Sequence, residues 1–231
     1  MKKLNKITIF SFILAFVFAA FGLFSFFHSD YYDRLSAKLG YAGKGYNHYL
    51  VNSWKNSLNG VTSDTVFVGD SITAQGDWYE KYGDDIRVLA VPGCRIKEGI
   101  QLSEIAVTLS PKKVFVLIGV NNISTLNYED AIRRDYGELL DVLCESNAKI
   151  YVESILPVCE PSSVSNDRIR SANAILEDLA KEHGCEFLDI FDNFLDDSAA
   201  RLDKELTKDG IHLNDAGYQV LMNSLDSFIK E

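Results

Sequence analysis

The run KVFVLI, Lys113–Ile118, is apolar or β-branched at nearly every position. A strand with one wet face alternates, so a near-continuous run predicts a parallel strand covered on both faces. Four further short runs share that character: TVFV (Thr65–Val68), IRVLAV (Ile86–Val91), KIYVE (Lys149–Glu153) and EFLDI (Glu186–Ile190). Between them lie segments of helical period. In Tyr128–Glu145, Ala131, Leu139, Val142 and Leu143 can share a face. In Asn166–His183 the apolar stripe is Ile169, Ala172, Ile175, Leu176 and Leu179, and Gly184 is placed to end the helix. Asn214–Ile229 closes the chain with Asn214 as its N-cap. Strands alternating with helices at this spacing predict βαβ units. The expected fold is α/β, a three-layer α/β/α sandwich around a five-stranded parallel sheet. Such sheets bind ligands at the carboxyl ends of their strands.

The residues at those ends are therefore the ones to read. Gly69-Asp70-Ser71-Ile72-Thr73 follows the first strand. A glycine and then a serine just before a helix lift a hydroxyl above the sheet edge, with a backbone N–H beside it; the same tripeptide also makes a plain turn. Val91-Pro92-Gly93-Cys94-Arg95 follows the second strand, where Gly93 allows close backbone approach or simply forms the turn. Gly119-Val120-Asn121-Asn122 follows the third, and Asn121 there can aim an amide into a cleft or cap the next turn. Near the C-terminus, Asp209 and His212 stand three apart in KDGIHLN. In a turn the carboxylate can hold one imidazole nitrogen and leave the other free to take a hydroxyl proton. The other histidines, His28, His48 and His183, lack that setting.

Composition narrows the function classes. With 231 residues, 47% hydrophobic and 24% charged, the chain has the make-up of one globular domain plus a short extra segment. A net charge of −10, with no cluster of basic residues after Lys6, excludes nucleic acid as an expected partner. Cys94, Cys144, Cys159 and Cys185 lack C-x-x-C spacing, so no metal is expected. The pairings 94–159, at the carboxyl-end edge of the sheet, and 144–185, at the opposite edge, stay open beside four free thiols. The first residues differ from the rest. Ile7–Phe27 carries no charge, and its 21 residues span about 30 Å as a helix, the thickness of a bilayer's hydrocarbon. Lys2, Lys3 and Lys6 before it, and Asp30 and Asp33 after it, put the N-terminus in the cytoplasm and the rest outside. The expected organisation is a cytoplasmic tip and transmembrane signal-anchor over residues 1–29, a helical stalk or packing arm over 30–60, and the α/β domain over 61–231. The expected location is the cell membrane, single-pass, with the domain extracytoplasmic. The alternative is a secreted protein after cleavage near Ala20-Phe21-Gly22, although LFSFF still follows that site.

Taken together and in order, the four strand-end blocks resemble the SGNH/GDSL hydrolase family: Ser71 in GDSI, Gly93, Asn121 in GVNN, and Asp209 with His212 in DGIHLN. The resemblance covers about Thr65–Ile229, and Leu156-Pro157-Val158, Asn173 and HLNDAGY (His212–Tyr218) look like its bacterial small-esterase and acylhydrolase branch. It implies a flavodoxin-like SGNH fold, Ser71 as nucleophile, His212 as general base and then acid, and Asp209 orienting His212. The implied oxyanion hole is the Ser71 N–H, the Gly93 N–H and the Asn121 amide. No cofactor is implied. The implied reaction is cleavage of small acyl esters, acetyl above all, through an acyl-serine, with carbohydrate as one substrate class. Lysophospholipase-like or acyltransferase use of the site is the alternative, as is a lapsed surface binding protein on the same fold. One position departs: Asn122 stands where the family usually has Asp, which is expected to loosen a loop-fixing hydrogen bond. Trp78 and Tyr79, shortly after Ser71, can line a cleft for substrate or pack a helix.

Overall fold

The computed structural model describes residue 51, residues 53–159 and residues 164–230. Five strands form its centre: β1 (Thr65–Gly69), β2 (Ile86–Ala90), β3 (Lys113–Leu117), β4 (Lys149–Glu153) and β5 (Glu186–Leu188). Every pair is parallel, in the order β2-β1-β3-β4-β5. That is the doubly wound order whose direction reverses between β1 and β3, so a crevice opens beyond the carboxyl ends of those two strands. Two short helices, α1 (Ser71–Ala74) and α2 (Trp78–Tyr82), follow β1. Four longer helices follow: α3 (Ile96–Thr108), α4 (Tyr128–Cys144), α5 (Asn166–Glu182) and α6 (Asp215–Lys230).

The strands are buried on both faces because successive side chains serve opposite layers. Val66, Val68, Val114, Val116, Ile150 and Val152 pack with α3, α4 and α5. Phe67, Phe115, Leu117 and Tyr151 pack with α1, α2 and α6. Phe67, Phe115 and Tyr151 occupy one register row across β1, β3 and β4, and their rings stack at centroid distances of 5.2 and 4.6 Å. Trp78 extends the ladder, 4.4 Å from Phe67.

The stripe of α5 is buried as its sequence predicts. The stripe of α4 is rotated from the expected one. Ile132, Tyr136, Leu139, Leu140 and Leu143 are buried, while Ala131 and Val142 sit at its margins, because the larger Ile132 and Tyr136 side chains claim the core side. Asn173 and Asn166 clasp the segment after β4: Asn173 accepts from the Ile155 N–H and donates to its carbonyl, and Asn166 does the same for Val158. These contacts fix the chain that leaves the carboxyl end of β4.

Ile7–Phe27, and with it the expected anchor and most of the arm, lies outside the described residues. Among those described, no helix is long and apolar enough to cross a membrane. Residues 53–57 are helical, and Trp54 and Leu58 pack against the core.

Candidate active site

Ser71 is the first residue of α1, directly beyond β1. The first N–H groups of a helix have no intrahelical acceptor, so the Ser71 N–H is available to a ligand. Asp70 caps this turn, its Oδ1 accepting from the Ile72 N–H at 3.0 Å. The cap is almost wholly buried, at 1% exposure. Burial pushes its carboxyl up to about 7, against the pull of the Ile72 N–H, of His212 and of the Gly119 N–H.

His212 reaches this point from 141 residues away. Its Nε2 lies 3.0 Å from the Ser71 hydroxyl oxygen. On its other side Nδ1 lies 2.6 Å from Asp209 Oδ2. Asp209 is fixed in turn by its second oxygen, which accepts from the Ile211 and His212 N–H groups at 3.0 and 2.7 Å. Burial works against the Asp209 charge, but the His212 ring and these two N–H groups outweigh it and hold its pKa below the usual carboxylate value. A small hairpin carries both residues. Thr207 and Leu213 pair as an antiparallel bridge, the Thr207 hydroxyl donates to the His212 carbonyl at 2.7 Å, and Gly210 takes φ +91° between them. Tyr218 ties α6 to the serine helix by donating its phenol to the Ile72 carbonyl at 2.7 Å.

Two more groups face this chain. Pro92 and Gly93 occupy the centre of a turn closed by Cys94 N–H to the Val91 carbonyl at 3.0 Å, with Gly93 at φ +76°. Asn121 sits in the short 3₁₀ turn Val120–Asn122 after β3. Its Nδ2 donates to the Cys94 carbonyl at 2.9 Å and lies 3.4 Å from Asp70 Oδ2. The amide therefore bridges the turns after β1, β2 and β3.

Four expectations meet the structure as follows. Ser71, Asp209 and His212 come into one hydrogen-bonded chain, and Asn121 is tied to the turns that carry Ser71 and Gly93. Asn122 does not loosen its loop: its Oδ1 accepts from the Ile96 N–H at 3.1 Å and caps α3. An amide carbonyl accepts that bond as a carboxylate would. Trp78 offers no platform for substrate. It is 2% exposed, stacked on Phe67, and its indole donates to the Thr73 carbonyl. Tyr79 is 47% exposed, with its phenol oxygen 3.4 Å from the Val88 N–H. The residue that sequence reasoning passed over is Asp70, taken only as turn chemistry. The signal was there: Asp before a short helix is an N-cap.

A hydroxyl beside a carboxylate-held imidazole, next to helix N–H and amide donors, can lose its proton as it attacks a carbonyl carbon. Among the described residues no three His, Cys, Asp or Glu side chains gather as a metal-ligand set.

The profile described as the GDSL-like Lipase/Acylhydrolase family matches residues 67–220, which include Ser71, Gly93, Asn121, Asp209 and His212. A curated protein from Escherichia coli, N-acylneuraminate cytidylyltransferase, is 29% identical over 197 residues, covering 79% of this chain. This chain spans only 44% of that protein's length. Among solved structures, a protein from Streptococcus pneumonia described as a platelet activating factor is 26% identical, with a TM-score of 0.70 over 79% of this chain and 92% of that one. An acetyl xylan esterase superposes with a TM-score of 0.60 at 20% identity, covering 71% of this chain and 98% of that one.

Proposed function

Because the chain belongs to the GDSL-like lipase/acylhydrolase family, we propose that it hydrolyses carboxylic esters through an acyl-enzyme formed on Ser71. The observation that carries the proposal is the unbroken contact chain from Ser71 Oγ through His212 to Asp209. In the first step the Ser71 oxygen attacks the ester carbonyl and its proton passes to His212 Nε2. Asp209 keeps the ring turned towards Ser71 and stabilises the imidazolium. The carbonyl oxygen becomes an oxyanion and takes hydrogen bonds from the N–H groups of Ser71 and Gly93 and from the Asn121 amide. Collapse expels the alcohol, which takes its proton from His212. Water then attacks the acyl-serine with His212 again as base, and the acid leaves.

The substrate class we infer is an O-acetyl or similarly small ester on carbohydrate. The turns that leave β1 and β2 are short, Asp70 before α1 and Val91–Arg95 before α3, and neither holds a long apolar insertion. Two of the similar proteins are named for carbohydrate substrates, xylan acetyl esters in one and N-acylneuraminate in the other. We further propose that Ile7–Phe27 anchors the chain in the membrane, with the domain from residue 61 on the extracytoplasmic side. The charge pattern around the run supports this.

A fluorophosphonate probe with p-nitrophenyl acetate tests the chemistry. The wild type is expected to be labelled and to turn over acetate faster than the octanoate ester, and Ser71→Ala to lose both labelling and turnover. An unlabelled wild type with native circular dichroism sinks the esterase reading and leaves the lapsed binding protein. For the anchor, the intact mass of membrane-extracted protein is expected to retain residues 1–29, and a mass that starts after Gly22 overturns it.

A further inference from the structure

Cys144 is the last residue of α4, and Cys185 lies directly before β5, at the sheet edge away from β2. Their sulfurs are 3.8 Å apart. Both thiols also turn to one acceptor, the His183 carbonyl, at 3.8 and 3.9 Å. The backbone makes this meeting possible. Gly184 takes φ +68° just after α5, and the Cys185 N–H bonds back to the Ala180 carbonyl at 2.8 Å, so the chain turns sharply under the end of α4. A disulfide bond is about 2.05 Å long, so side-chain rotation has a short gap to close. Cys144 is exposed and Cys185 half-buried. Burial, then Cys144, push the Cys185 thiol up to about 12. An oxidant therefore meets Cys144 first. The other two cysteines are held apart. Cys94 is in the core layer under α3, with its thiol towards the Arg95 carbonyl. Cys159 packs against the opposite layer, with its thiol 3.2 Å from the Leu202 carbonyl.

We propose that Cys144 and Cys185 are a redox-active dithiol that closes to a disulfide and staples the short edge strand β5 to α4. With a small-molecule disulfide such as oxidised glutathione as oxidant, the Cys144 thiolate attacks one of its sulfurs and releases a glutathione thiolate. The Cys185 thiolate then attacks Cys144 Sγ in the mixed disulfide and releases the second. Two protein thiols lose two protons and two electrons, and the oxidant's disulfide becomes two thiols. The bridge joins residues 41 apart in sequence, a loop long enough to restrict the unfolded chain substantially. The strand it pins leads into the Ser154–Ile190 contact beside the segment after β4.

The test uses the full-length chain, reduced and then treated with oxidised glutathione. Maleimide alkylation in denaturant is expected to fall from four thiols to two, with a disulfide-linked peptide pair joining 144 and 185. The melting temperature is expected to rise by several degrees on oxidation. That rise should be absent in Cys144→Ser and in Cys185→Ala, while the wild-type peptide map decides the matter even if a variant folds poorly. Four alkylated thiols after oxidation, glutathione left on Cys144, or a bridge through Cys94 or Cys159 overturns the proposal. None of these readouts depends on ester hydrolysis, so Ser71→Ala should give the same map as the wild type.

Discussion

Asn121 and Asn122 are adjacent, identical in chemistry and opposite in duty. Asn121 points its amide to the Cys94 carbonyl beside the serine turn, whereas Asn122 points its carbonyl at the first N–H of α3. Removing a preorganised oxyanion donor typically costs about 10²–10³ in rate. Asn121→Ala is accordingly expected to lower kcat by about that factor with little change in KM, which steady-state kinetics on a nitrophenyl ester checks. Asn122→Ala strands a buried N–H and is expected to cost about 1–2 kcal/mol in urea denaturation. Asn122→Asp keeps the acceptor and should leave stability and activity close to wild type. If Asn122→Asp instead raised kcat strongly, the amide would be a poor substitute after all. The candidate residues were legible in the sequence because each follows a recognisable strand or turn. Which neighbour each side chain touches was not, since Asn122 meets Ile96 across 26 residues of chain and Trp78 folds back into the core onto Thr73 and Phe67.

At the scale of elements, strands read well and one helix did not. Runs such as Thr65–Val68 and Lys113–Ile118 announce themselves because burial on both faces leaves every position after the first apolar. Helix α3 was not anticipated. Its N-cap is Arg95, and Gly99 interrupts its pattern. The glycine is there for packing: a Cβ at 99 would come within 2.8 Å of Ile118 Cδ1, so the helix lies close on the end of β3. The same distinction between space and conformation separates two glycines at the site. A Cβ on Gly69 would meet Thr73 Oγ1 at 2.1 Å and the Leu117 carbonyl at 2.8 Å, and the carbonyl is backbone that cannot step aside. Gly69→Ala should therefore force β1 and α1 apart, displacing Ser71 and costing about 2–3 kcal/mol or more. A Cβ on Gly93 meets nothing within 4 Å, and only its φ of +76° objects. Gly93→Ala is expected to cost about 1–2 kcal/mol and to keep the N–H proposed for the oxyanion. Thermal denaturation and phosphonate labelling of both variants check the contrast: Gly69→Ala loses both, Gly93→Ala keeps labelling.

For the molecule as a whole, the buried acids set how stability responds to pH. Glu153 ends β4 and is 2% exposed, with no hydrogen-bond partner for Oε2. Burial pushes its pKa from 4.5 up to about 8. Between those values the unfolded chain has released a proton that the folded chain still holds. The stability Glu153 permits is therefore fully present below pH 4.5 and is lost as the pH rises through about 8, by a few kcal/mol in all. Asp70 acts in the same direction between 3.8 and about 7. Asp209, with its lowered pKa, acts oppositely: its contribution is present at neutral pH and lost as the pH falls below its usual value. Glu153→Gln leaves Asp70 and Asp209 in place, so their contributions cancel when the variant is compared with the wild type. The expected difference curve from urea denaturation climbs in favour of Glu153→Gln from about pH 4.5 to 8 and is flat above. Near pH 4 the variant is no more stable than the wild type, because Gln brings its own unpaired N–H groups into the core. Parallel curves across that range would show that Glu153 finds solvent or a partner when it ionises, and that β4 ends closer to water than its burial says.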